Sequence, residues 1–264
     1  MALAHHIMLR LVDSRVIAPD EKAGRALACS VLRVGRSYRL IVFRSSDTHL
    51  HLTAACCRVA AGQLARRLEI SLRRRLALPV PFERARVKVV GDQRHLGNVF
   101  DYSMRQEQRH GIAVDPLFTA SNLPDLLGMR LVGGYTRTNL RRYLPRVSRG
   151  QLLGYLDRPD LDAAPLAVDD LADAAAAAFG LPDLCGKRPD VARARRAAAR
   201  VAAGLATASA IGELLGVDRR TVFRLRSQAI EPAAVEAVRL QLRLRSASRS
   251  VGVDHGLPPS SAWG

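Results

Sequence analysis

The sequence predicts an α+β protein: an antiparallel, ferredoxin-like sheet with helices on one face over residues 1–148, followed by an all-α helix-turn-helix domain. Two observations carry this. Strand-like alternation and helix-like periodicity succeed one another in the order strand, helix, strand pair, helix, strand, helix. Beyond Val191 the pattern is helical and dense in arginine, with a turn between two short helices at residues 210–228. The 264 residues are 48% hydrophobic, enough to build a core in one or two domains.

Each element has its own signature. H-H-I-M-L-R-L-V-D-S-R-V-I, residues 5–17, reads as a first strand with apolar alternation and β-branched residues. Residues 19–35 read as a helix, with acids in the first turn and a glycine near the end. Residues 37–55 form two strand pieces broken by the polar S-S-D-T. Leu64, Leu68, Leu72 and Leu76 recur four apart on an amphipathic helix that Pro79 and Pro81 end. A-R-V-K-V-V is a short strand, and residues 92–111 read as one helix closed by Gly111. Residues 149–185 are expected to form a linker and short helix. Residues 186–246 then form the helix-turn-helix domain, and 247–264 have the composition of a disordered tail.

Net charge narrows the partners. A formal +17 and a pI near 11.1 point to an anionic partner, with nucleic acid ahead of membrane. Only three of the 41 basic residues are lysines (Lys22, Lys88 and Lys187), so part of the arginine excess reflects codon composition. No apolar run approaches the ~20 residues of a membrane span, and the N-terminus lacks the pattern of a signal peptide. The expected location is cytoplasmic, on the nucleoid. Cys29, Cys56, Cys57 and Cys185 form no C-x-x-C, which argues against a zinc knuckle and for reduced thiols buried as small hydrophobes.

The stretch D-T-H-L-H-L carries the chemistry. On a strand, His49 and His51 share one face, and two imidazoles side by side can chelate a metal. Tyr102 and Gln106 lie four apart on the following helix, hence on one helical face, and His110 continues it. If that face covers the histidines, two imidazoles and a side-chain oxygen hold a divalent ion, and the Tyr102 hydroxyl can attack a phosphate. His110 is the alternative third ligand; His95 and the His5–His6 pair are further ones. Tyr135, Tyr143 and Tyr155 are the other candidate nucleophiles. The run Arg73, Arg74, Arg75 reads as a solvated helix face that adds salt-dependent phosphate binding. In the second half, Arg219, Arg220 and Arg224 sit on the second helix of the helix-turn-helix, where side chains reach bases.

His-hydrophobic-His on a strand followed by Tyr-x-x-x-Gln on a helix resembles the single-tyrosine HUH transposases, in their insertion-sequence and REP-associated branches. The resemblance covers roughly residues 1–148. It implies an HUH nuclease fold, Tyr102 as nucleophile, and His49, His51 and Gln106 as ligands of Mg²⁺ or Mn²⁺. It further implies cleavage of single-stranded or hairpin DNA through a 5′-phosphotyrosine, in a monomer or homodimer. The C-terminal stretch is similar to the DNA-binding domain of the replication initiator DnaA, which implies that Arg193, Arg196, Arg219, Arg220 and Thr221 approach duplex DNA. The competing expectation is a DNA-binding regulator whose nuclease-like domain is inactive.

Overall fold

The computed structural model describes residues 2–46, 48–109, 111 and 114–252. Strands β1 (Ala4–Arg10), β2 (Leu40–Ser46), β3 (His49–Ala54) and β4 (Arg86–Val90) form one sheet in the order β2-β3-β1-β4, every neighbour antiparallel. Helix α1 (Glu21–Gly35) carries the chain from β1 to β2, and α2 (Arg58–Arg75) from β3 to β4. Each helix thus joins two parallel strands with a third strand between them, the split β-α-β connection. Ser46 pairs with His49, so β2 and β3 form a tight hairpin.

Period-two alternation decides which face is dry. Ile7 and Leu9 of β1 and Leu50 and Leu52 of β3 are fully buried against Leu27, Val31 and Leu32 of α1 and Leu64, Leu68 and Leu72 of α2. The alternate residues, His6 and Met8 on β1 and His49 and His51 on β3, therefore face the other side. That side is covered too. Helix α3 (Gln93–Met104), N-capped by Asp92 accepting from the His95 amide, packs Leu96 and Phe100 against Ile41, Val42 and Val90. The sheet therefore carries helices on both faces, where the sequence suggests one.

Three boundaries depart from the sequence reading. The first strand stops at Arg10, because the chain turns at Ser14, which has φ 55°, and exposed Val12 contributes nothing to the core. The helix expected over 92–111 breaks at Arg105, whose amide still bonds Asp101, and a separate short helix α4 (Gln106–Arg109) follows. His110 lies outside the described residues. The segment 149–185, expected to form a linker and a short helix, is built into the fold. Its α7 (Arg149–Tyr155) buries Leu152, Leu153 and Tyr155, and α8 (Leu171–Phe179) buries Ala174 to Ala178. The cysteines also depart: Cys29 is buried and Cys56 half-buried, but Cys57 and Cys185 are exposed.

Between the sheet and this region lie α5 (Leu123–Leu127) and α6 (Gly134–Tyr143). Buried Asn122 matches the free edge of β2 with its side chain, accepting from Phe43 N at 2.9 Å and donating to Ile41 O at 3.0 Å. The second half packs α8, α9 (Pro189–Val201), α10 (Ala208–Leu215), α11 (Arg219–Ser227) and α12 (Pro232–Gly252) around one alanine-rich core. Helix α12 joins the halves. Ala237, Val238 and Leu242 enter that core, whereas Leu240 and Leu244 belong to the core that also holds Leu126, Leu152 and Phe100. Arg245 pairs with Glu21 at 3.0 Å, and Gln241 donates to Met129 O. Helix α12 runs on to Gly252, where a disordered tail is expected from 247; the residues beyond 252 lie outside the described residues. No helix of the described residues is long and apolar enough to cross a membrane.

Candidate active site

The sheet register builds the site. β1 and β3 pair Met8 with His51 and His6 with Thr53, so His6 and His51 are diagonal neighbours on one face. Their rings stack with centroids 5.4 Å apart, and His6 Nε2 lies 3.2 Å from His51 Nδ1. The His49 ring is 6.0 Å from that of His51, and Thr48 Oγ1 lies 2.8 Å from His49 Nδ1. Tyr102 comes from α3, held down by buried Phe100 and Met104. It stands edge-on to His51 at 5.6 Å and to His6 at 6.3 Å. The structure thus brings together His49, His51 and Tyr102, with His6 as the third imidazole. His5 points the other way and holds Cys56 O from the buried face.

Gln106 is buried, and its amide N–H donates to the Tyr102 carbonyl at 2.8 Å, which ties α4 to the end of α3. Its neighbour Glu107 makes a two-point ion pair with Arg44, at 2.8 and 2.7 Å, with both side chains nearly dry. Arg44 is the cross-strand partner of His51, and its guanidinium also lies 5.0 Å from the Phe118 ring. Sequence reading misses this pair. The available signal is Arg44 in the same alternation as Val42 and Ser46, a charge on a strand face otherwise meant to be covered.

A groove of about 470 Å³ opens beside the histidines, lined by His6, His51, His95, Tyr102, Arg86 and Lys88 among others. Burial first, then the nearby Lys88 and His95, push His6 down to about 4, so its ring is neutral near pH 7. Neutral imidazole is the form that ligates metals. Among the described residues, no group of three or more His, Cys, Asp and Glu side chains is arranged to hold an ion. The His6–His51 nitrogen spacing of 3.2 Å does fall within the roughly 3.0–3.4 Å separating two atoms each bound about 2.1 Å from one ion. Of the other tyrosines, Tyr135 donates to Leu32 O, and Tyr155 donates to Asp101 at 2.9 Å. Burial pushes both hydroxyls up, Tyr155 to about 12 and Tyr135 further, which makes them poorer nucleophiles.

The arginines divide. Arg219, Arg220 and Arg224 are exposed on α11, and the Arg219 guanidinium lies 5.6 Å from the ring of exposed Phe223. Helices α10 and α11 are joined by the short turn through Gly216, in left-handed conformation, to Asp218. Asp218 caps α11 by accepting from both Thr221 N and Thr221 Oγ1, so that hydroxyl is engaged within the protein. Arg193 pairs with Glu231 at 3.0 Å and Arg196 donates to Ala229 O at 3.2 Å, which makes both braces between α9 and the start of α12. Arg73, Arg74 and Arg75 are exposed at the end of α2, on the sheet face away from the histidines. Comparison of the chain with family models, with curated proteins and with solved structures gives no match.

Proposed function

We propose that this protein is a metal-dependent single-strand DNA endonuclease and strand transferase of the HUH type, acting through a covalent phosphotyrosine on hairpin or palindromic DNA. One observation carries the reading: Tyr102 stands within 5.6–6.3 Å, centroid to centroid, of a histidine pair on a sheet face whose groove also carries Arg86 and Lys88. The ferredoxin-like strand order supports it, because it sets the two histidines of β3 beneath a helix that delivers the tyrosine.

In this reading the Tyr102 oxygen attacks the phosphorus of one phosphodiester. The P–O3′ bond breaks, a P–O(Tyr) bond forms, and the tyrosine proton passes to solvent while the 3′-oxygen leaves as a hydroxyl. The 5′ end stays on the protein, and a free 3′-hydroxyl reverses the step to rejoin strands without ATP. Lys88 and Arg86 hold neighbouring phosphates. His49, His51 and Gln106, with His6 as a competitor for the third place, would hold a divalent ion whose Lewis acidity polarises the phosphate. An imidazole-rich donor set suits Mn²⁺ better than Mg²⁺, which prefers oxygen ligands. The α10–α11 pair serves as a helix-turn-helix that brings Arg219, Arg220 and Arg224 to duplex DNA.

Incubation with hairpin oligonucleotides and Mn²⁺ or Mg²⁺ tests this directly. The expected product is a protein–DNA adduct that survives SDS and is absent in Tyr102→Phe. The second reading, a sequence-specific DNA-binding regulator, is favoured by the exposed arginines and Phe223 of α11. Sequence-specific duplex binding without adducts across many hairpins would establish it instead.

A further inference from the structure

On the sheet face away from the histidines, a groove of about 490 Å³ runs between α1 and α2. Arg33 enters from α1 and Arg67, Arg74 and Arg75 from α2, with Ser30 and Ser71 between them. No carboxylate lines the groove, and none of the four guanidiniums has an ion pair among the described residues. Arg25, Arg105, Arg149, Arg239 and Arg245, by contrast, all reach an acid; most arginines among the described residues do not, and the groove differs in bringing four such arginines together. Glu69, the one acid of α2, lies outside the lining, with Arg66 as its charged neighbour. Helix dipoles give a local reason for Arg33, Arg74 and Arg75, each in a last turn, and the Tyr38 ring 5.8 Å from its guanidinium gives one for Arg67, but neither accounts for their convergence.

We infer that this groove binds the phosphodiester backbone of a nucleic acid, at a second place separate from the strand at Tyr102. The inference rests on the nucleic-acid half of the reading above and needs none of the tyrosine chemistry. Residues 67, 71 and 74 follow one helical row, each step close to one turn or 5.4 Å, so the donors form a line rather than a point. A line of guanidinium forks fits a chain of anions better than a single one. Ile70, 62% exposed among these charges, offers an apolar surface to sugar or base. The sheet and a helix layer about 10 Å across separate this groove from the histidines. A short oligonucleotide held at Tyr102 therefore does not reach it, whereas a longer DNA can engage both.

The test is binding of the full-length protein, in EDTA, to a labelled duplex and a labelled single strand of equal length, titrated at several salt concentrations. Arg33→Gln/Arg67→Gln/Arg74→Gln is compared with Arg219→Gln/Arg220→Gln, both checked for native thermal melting. The groove variant is expected to lower the log–log salt slope by about 0.7–0.9 for each phosphate no longer held, hence by about 2–3 in all. Hydrogen exchange on the unmodified protein is expected to show DNA-dependent protection at the ends of α1 and α2, and needs no variant to fold. An unchanged slope, or protection confined to α11, overturns the inference; so does polyglutamate competing as well as DNA at equal charge. A slope that falls in the groove variant but not in the α11 variant keeps the groove and removes the helix-turn-helix reading.

Discussion

Tyr102 is the residue on which the enzymatic reading turns. Tyr102→Phe keeps the ring that stands edge-on to His51 and His6 and removes only the oxygen. It should abolish the adduct while changing DNA affinity less than about twofold, against the several kcal/mol that loss of a nucleophile costs catalysis. His51→Ala and His49→Ala should impair Mn²⁺-dependent cleavage more than Gln106→Ala does, since imidazole is the stronger ligand. If His6→Ala costs more than Gln106→Ala in the same assay, the third ligand is His6. His6 also has a pH signature, read on metal-free protein. Its folded pKa, about 4, lies below the 6.5 of the free side chain, so between these values the unfolded chain binds more protons. Stability should therefore fall as pH drops from about 6.5 to about 4, and His6→Gln should flatten that fall, which chemical denaturation at a series of pH values would read.

Helices and strands differ in how far the sequence announces them. β1, β3, α1 and α2 are legible because each has one wet and one dry face, or faces two different layers, and periodicity records that contrast. His49 and His51 are legible for the same reason. The end of α3 is not, because Arg105 breaks the helix where Glu107 is drawn to Arg44, a partner 63 residues away. Helix α8 stands where a short helix is expected, but its place in the core is not legible: Ala174 to Ala178 are buried all round, and a helix with no wet face shows no amphipathic period. From the sequence His6 is only a spare ligand, since the H-H dipeptide does not say which ring faces α3. At this scale the N-cap of α11 offers a clean test. Asp218→Ala removes two hydrogen bonds from Thr221 and should destabilise α11, read as a lowered urea midpoint.

Across the whole molecule, the two halves share a core instead of a linker. Leu240 and Leu244 of α12 fill space beneath the sheet, and Glu21 at the head of α1 pairs with Arg245. Arg25 of α1 reaches the carbonyls of Leu181 and Pro182 at the end of α8. Sequence alone favours a nuclease half that works without residues 186–264. The packing predicts instead that removing them takes Leu240 and Leu244 out of the core under the sheet and destabilises the sheet domain by several kcal/mol. The full chain should then melt in one calorimetric transition. Two transitions, or a truncated protein that still forms adducts, would show the halves to be independent.

The same helix sets a clock on biosynthesis. α4, which carries Gln106, ends at Arg109 and α12 at Gly252, so at about 5–20 residues per second the ribosome needs on the order of 7–30 s to pass from one to the other. Through that interval the histidines and Tyr102 have already been made, but the apolar surface that Leu240 and Leu244 cover still faces water. A message cut short between these points yields a chain that carries every proposed catalytic residue and lacks the lid of its own core. On the proposed reading, nicking activity is thereby tied to completion of α12.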